Sequence, residues 1–240
     1  MSRIFITGDT HGSYDMTKLS RRHFQEGKTL TKNDYVIICG DFGCVWGGEL
    51  EKSDKWWQNW LDDQPWTTLW IDGNHENHDL LQTYPVEQWH GGRIHKINNS
   101  IYHLMRGEVF TINDKTIFTF GGGYSTDRAY RKEGVSWWKG ELPTHEEVNY
   151  ALQSLEKYNN HVDIILTHDA PRDIKEYLGF YNLCDMSVYG EEYEDIHSTL
   201  YFFKKNIVFQ DWYLGHYHID KDIDNMHILY NEIIEITDKE

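Results

Sequence analysis

Seven side chains with oxygen or nitrogen donors stand in five short blocks along the 240-residue chain. Asp9 and His11 lie in GDTHG, Asp41 in GDFG, Asn74 in GNHE, His168 in ILTHD, and His216 and His218 in YLGHYH. Each block directly follows an apolar run. Two carboxylates, one amide and four imidazoles make a mixed oxygen and nitrogen set without thiolate, which suits manganese, iron, zinc or cobalt rather than calcium or copper(I). Seven donors exceed what one ion usually needs. If Asp41 is shared, each of two divalent ions receives four protein ligands, with positions left for water and substrate.

Charge then narrows the chemistry. Two divalent ions outweigh the two carboxylates, which leaves a locally positive point inside a chain of formal charge -16. A phosphate ester is drawn to such a point. The same charge lowers the pKa of a bridging water toward about 7, supplying hydroxide for in-line attack on phosphorus near neutral pH. An aspartate in place of Asn74 would remove one unit of that positive charge.

Elements must bring these blocks together. RIFITG (3–8), DYVIICG (34–40) and TTLWIDG (67–73) are short apolar runs closed by glycine, as buried parallel strands are. Between them, 14–26 (Met16, Leu19, Phe24) and 50–61 (Leu50, Trp57, Trp60, Leu61) carry apolar residues at helical spacing, which predicts β-α-β-α-β. After residue 90, RIHKI, SIYHLM, EVFTI and KTIFTFGG read as hairpins of a second sheet. Thr144 and Glu147 form a capping box for a helix over 145–158, with Val148, Ala151, Leu152 and Leu155 as its buried stripe. A strand at VDIILTH (162–168), a helix over 191–204 and strands at IVFQDWYLG and MHILYNEIIEI follow. Strand carboxyl ends line the crevice of open α/β sheets, so all five blocks can converge there. At i and i+2, His216 and His218 would point to one side of an extended strand end.

Composition excludes several classes. Hydrophobic residues are 39% and charged residues 26%, with four prolines and no low-complexity run, which predicts one globular domain over 1–240 rather than a disordered chain. The start lacks a basic region followed by a long apolar stretch, and no apolar run reaches membrane-spanning length. The expectation is a soluble cytoplasmic protein without a membrane partner. Cys39, Cys44 and Cys184 are odd in number and lack a CxxC pair, which argues against a disulfide framework and a zinc ribbon. The acidic balance disfavours stable duplex nucleic-acid binding. His23, His78, His90, His95, His103, His145, His161, His197 and His227 read as structural histidines.

GDTHG, GDFG, GNHE, THD and GHYH, in that order from residue 8 to 218, resemble the five signature blocks of the calcineurin-like metallophosphoesterases. The resemblance implies an α/β four-layer αββα sandwich of two mixed sheets flanked by helices. It also implies that Asp9, His11 and His218 hold one ion, that Asn74, His168 and His216 hold the other, and that Asp41 holds both. His75 matches the family histidine that contacts phosphate and protonates the leaving alkoxide. The ions expected are divalent transition metals, manganese first, with Fe, Zn, Co or Ni as alternatives. One departure stands out: other branches continue the second block as GDxxDRG, whereas here it reads GDFGCVW, with Cys44 and Val45 at the Asp and Arg positions. Arg106, Arg128 and Arg131 are the candidates for a replacement phosphate clamp, and exposed loop arginines are the bland alternative.

These readings predict a dinuclear-metal-dependent phosphoesterase that hydrolyses a phosphomonoester or phosphodiester by direct attack of bridging hydroxide. A small or nucleotide-like substrate suits the acidic surface, with Trp137 and Trp138 as bases' stacking partners or as core; a phosphoprotein is the other substrate weighed. Two alternatives stand beside it: a non-catalytic docking or scaffold protein on the same fold, and a nuclease with the same metals, for which Lys204 and Lys205 are the nearest thing to a basic track. Oligomeric state is left open.

Overall fold

Parity along the strands builds the layers. In the computed structural model, which describes residues 2–237, β1 (Ile4–Thr7), β2 (Tyr35–Cys39) and β3 (Thr67–Ile71) are covered on both faces. Ile4, Ile6, Ile37, Cys39, Leu69 and Ile71 enter one core, while Phe5, Val36, Ile38 and Trp70 enter another. Successive side chains on a strand alternate faces, so a strand buried on both sides must be apolar throughout. That is why these runs show no alternation in sequence.

The chain continues through α1 (Glu51–Asp62) between β2 and β3, then α2 (His78–Leu81), β4 (Val86–Trp89), β5 (Gly92–Asn98), β6 (Ile101–Leu104), β7 (Glu108–Ile112) and β8 (Lys115–Phe120). There follow α3 (His145–Glu156), β9 (Ile164–Thr167), α4 (Arg172–Tyr177), α5 (Ile196–Asn206), β10 (Asp211–Leu214), β11 (Lys221–Ile223), β12 (Met226–Ile228) and β13 (Ile233–Glu235). One sheet has the order β13-β1-β2-β3-β6-β5-β4, the other β11-β12-β10-β9-β8-β7. Strands β1, β2, β3 and β6 run parallel, as do β8, β9, β10 and β12, and antiparallel strands flank both groups.

Ile6, Leu69, Ile117, Leu166 and Tyr213 meet between the two sheets. Leu61 of α1 packs with Met16, Leu19 and Phe24 over the outer face of the first sheet. Ala151, Leu155, Ile174, Leu200 and Phe203 bring α3, α4 and α5 onto the outer face of the second. The expected αββα sandwich of two mixed sheets is what the chain forms. The capping box is present too: Thr144 Oγ1 accepts from Glu147 N, and the Glu147 carboxylate accepts from Thr144 N.

Four local expectations are corrected. Residues 14–26 form no α-helix: one 3-10 turn covers Met16–Leu19, and a second, Glu26–Thr29, begins only at the end of that span. Lys18 turns inward to the carbonyls of Gly8, Asp9 and Tyr230, and this tie to three other backbone groups replaces the regular turns of a helix. The β5–β6 hairpin belongs to the first sheet, where β6 lies parallel to β3, and only β7–β8 joins the second. MHILYNEIIEI divides into β12 and β13, which lie in different sheets. Helix α5 starts at Ile196 rather than at 191, because the Asp195 side chain accepts from Ser198 N and caps it.

Candidate metal centre

The five blocks leave the carboxyl ends of β1, β2, β3, β9 and β10, and both sheets present those ends to one place. Backbone conformation does the final aiming. His11, Asp41, His216 and His218 all have positive φ, at 41°, 47°, 70° and 52°. Non-glycine residues adopt such values at a cost and persist there only when surrounding structure enforces them. Close approach explains two glycines. A Cβ on Gly215 would meet Asp9 Oδ1 at 2.1 Å, and one on Gly40 would meet His168 Nδ1 at 2.2 Å. His216 and His218 therefore do not share an extended strand: β10 stops at Leu214, and both rings sit in the left-handed turn beyond it.

The donor atoms fall into two groups, each with mutual separations within 4.8 Å: Asp9 with His11 and His218, and Asp41 with His168 and His216. Asp41 reaches both, with Oδ2 3.2 Å from His11 Nε2 and Oδ1 3.4 Å from His168 Nε2. Asn74 Oδ1 lies 3.1 Å from His168 Nε2, and so does His216 Nδ1. All seven expected donors are thus brought together.

Whether they fit cations can be judged from their outer contacts. His168 Nδ1 donates to Cys39 O at 2.8 Å and His11 Nδ1 is held by Asp15 Oδ2 at 2.8 Å, which turns each Nε2 inward. Histidine metal ligands are ordinarily fixed in this way through the far nitrogen. Asp9 Oδ2 is buried without a hydrogen-bond partner, although His218 Nε2 stands 3.1 Å away. An orphaned carboxylate oxygen among inward-facing imidazole nitrogens is a costly arrangement that a cation would relieve. Electrostatics agree. Burial opposes charge on His11, yet Asp41, Asp9 and Asp15 lift it to about 9; burial likewise opposes charge on His168, which Asp41 and Asp9 lift to about 10. Burial also works against Asp41, but His168, His75 and His11 hold it well below the usual carboxylate range. The cluster demands positive charge, so the residues fit divalent metal.

His75 stands beside the donors. Its backbone N donates to Asp41 Oδ1 at 2.7 Å, its ring lies 5.5 Å from that of His11, and burial, with Arg131 and His11, keeps it below the ordinary imidazole value. Arg131 Nη2 is 2.9 Å from His75 Nε2 and 2.7 Å from Asp127 Oδ2. Of the three arginines weighed as clamps it alone reaches the site. Arg106 is buried against Asp72, its Nε 2.9 Å from Oδ2, and Arg128 pairs with Asp185 at 2.8 Å. Asp15, four residues from His11, and Asp169, directly after His168, carry no distinguishing signal in the sequence. Trp137 and Trp138 are buried and offer no stacking face. Lys204 is tied to Asp173 at 2.8 Å and Lys205 sits over the Tyr201 ring, so neither forms a basic track.

A cleft of about 310 Å³ opens on the donors, walled by Tyr124, Asp127, Lys175, Phe180 and Tyr217. The Phe180 and Tyr217 rings are 5.1 Å apart, and Phe180 is 44% exposed. A larger cavity of about 400 Å³, around Asp72, His78 and Arg106, contains none of the seven donors. Among the described residues no helix is long and apolar enough to cross a membrane.

Among curated proteins, the chain is 26% identical over 196 residues to the lariat debranching enzyme of Arabidopsis thaliana, covering 73% of this chain and 44% of that one. The counterpart in Drosophila pseudoobscura pseudoobscura is 27% identical over 202 residues, covering 73% and 34%. The chain therefore spans less than half the length of these relatives. A solved structure assigned as a 5′-nucleotidase from Staphylococcus aureus superposes with a TM-score of 0.49 at 18% identity, covering 95% of this chain and 48% of that one. The family description "calcineurin-like phosphoesterase" matches residues 2–220, a span that runs through every one of the five blocks, and the chain belongs to that family.

Proposed function

We propose that the protein is a metal-dependent hydrolase of a small phosphodiester or phosphomonoester, with Asp9, His11 and His218 holding one divalent ion, Asn74, His168 and His216 the other, and Asp41 both. The observation that carries this reading is the placement of Asp41 between two donor groups, with His75 one hydrogen bond away. Two such ions, manganese in the first instance, would polarise phosphoryl oxygens and acidify a water for attack on phosphorus.

The chain's own residues supply the rest. Asp15 and the Cys39 carbonyl hold the His11 and His168 rings in place, which keeps the donors from reorganising as charge moves during the reaction. We assign His75 the transfer of a proton to the leaving oxygen; burial, with Arg131 and His11, keeps the ring mostly neutral near pH 7, so the acid is its minor charged form, which is the stronger proton donor. Arg131, anchored by Asp127 and in contact with His75, would offer its guanidinium to a phosphate oxygen, the role left open by Cys44 and Val45. Phe180, half exposed at the cleft mouth and tilted against Tyr217, gives the cleft an aromatic face on which a nucleobase could stack. The relatives' name, lariat debranching enzyme, weighs toward the diester within this pair. Three free thiols suit a reducing compartment such as the cytoplasm.

The test is turnover of a panel of monoesters, diesters and nucleotides by manganese-loaded and metal-stripped protein. Metal-dependent hydrolysis with a marked preference supports the proposal. Equal background rates from loaded protein, stripped protein and His75→Ala would instead leave a docking protein on this fold.

A further inference from the structure

The helical layer over the second sheet carries another cluster of donors beyond the seven, and it includes a thiol. Cys184 lies in the loop after α4, while Asp195 and His197 sit at the start of α5. One ligand atom from each lies within 4.8 Å of the others. We propose that Cys184, Asp195 and His197 form a separate mononuclear site for a thiophilic divalent cation of the zinc class, next to the cleft.

The argument rests on how His197 is held. Its ring is buried, and Nε2 lies 3.0 Å from Asp169 Oδ2. Asp169 is itself buried and takes the Tyr217 hydroxyl on its other oxygen at 2.6 Å. A carboxylate on Nε2 fixes the proton there, which leaves the Nδ1 lone pair free to ligate. Nδ1 faces Cys184 Sγ at 3.2 Å and Asp195 Oδ1 at 3.8 Å. The sequence of carboxylate, imidazole and remaining donors is the one that supports zinc, and one sulfur, one nitrogen and one oxygen leave a fourth tetrahedral position open. Cys184 and His197 line a shared cavity with Lys175, and His197 and Lys175 also line the cleft, so a fourth ligand can enter from that side.

Donor type separates this site from the seven-donor centre. Thiolate selects zinc-like ions, whereas the carboxylate, amide and imidazole set accepts harder ones, so the two places sort metals by softness. On binding, the Cys184 thiol loses its proton to solvent as the sulfur–metal bond forms, and the thiolate and the Asp195 carboxylate balance the ion's two charges. Asp169 ties the sites together: Oδ2, which holds His197, is also 3.8 Å from His216 Nε2.

Cobalt(II) is the spectroscopic probe, added to the full chain and to Cys184→Ser, with zinc content measured in parallel. The expected result is a sulfur-to-cobalt charge-transfer band in the wild-type chain that the variant lacks, together with one fewer equivalent of zinc per variant chain. Wild-type protein without that band overturns the proposal, and this readout does not depend on the variant folding. A band that survives Cys184→Ser, or an unchanged zinc content, overturns it equally.

Discussion

Replacing His75 by alanine tests the proposed division of labour most directly. His75 belongs to neither donor group, and its link to them runs through its backbone N on Asp41, which alanine retains. The metal content of His75→Ala should therefore equal that of the wild type. What is lost is a proton donor whose ring stands beside Arg131 and within 5.5 Å of His11. General acid catalysis contributes about 10²–10⁴-fold, which corresponds to about 2.7–5.4 kcal/mol of barrier at 1.36 kcal/mol per decade. The loss must depend on the leaving group. An alkoxide needs the proton, so kcat for an alkyl ester should fall by that full amount; a nitrophenolate leaves unprotonated, so kcat for a nitrophenyl ester should fall by less than about tenfold. Steady-state kinetics on the two esters, with metal quantified in each preparation, decides the matter. Equal losses on both substrates would refute the proton-donor role, and a loss of bound metal would move His75 into the metal-holding set.

Other consequences follow from the same geometry. Asp15→Asn weakens the hold on His11 Nδ1 and should lower metal affinity by about 10–100-fold, measured by competition with a chromogenic chelator. Gly215→Ala places a Cβ 2.1 Å from Asp9 Oδ1 and 2.7 Å from Cys39 O, so bound metal should drop, with a stability cost of about 1–3 kcal/mol read from urea unfolding. Asp72→Asn leaves the buried Arg106 with only the partly exposed Glu147 carboxylate, 3.5 Å away, and should cost about 3 kcal/mol at neutral pH, the low end of the range for a broken buried pair. Burial alone would raise Asp72, but Arg106 and His103 outweigh it and hold the carboxyl far below its ordinary value. A depressed folded pKa stabilises fully above the unfolded value of about 3.9 and is lost as pH falls through the folded one, so wild type and variant should converge only below about pH 4.

The candidate donors, and the ends of the strands that carry them, are legible in local sequence. Apolar runs closed by glycine marked β1, β2 and β3, because strands covered on both faces tolerate no polar alternation, and the polar block after each run could only be a strand end. The Thr144–Glu147 box marked α3 for an equally local reason: its bonds lie within one turn. Resemblance of the ordered blocks then pointed to the αββα sandwich. Non-local facts were illegible. The β5–β6 hairpin has the same local chemistry whichever sheet it joins, and its place beside β3 is settled by packing.

Which polar residues come to lie against the donors depends on packing between distant segments. Three arginines were equivalent as letters, yet the loop after β8 carries Arg131 to His75 while Arg106 is consumed by Asp72. His197 read as one of nine ordinary histidines until the fold set Asp169 on one ring nitrogen and Cys184 beside the other. Histidine and aspartate enter the left-handed region more readily than most residues, yet the surrounding structure must hold His11, Asp41, His216 and His218 there together. Donor identity is a property of each residue, but aim and partnership are properties of the packed chain, where segments far apart in sequence fix one another's conformation.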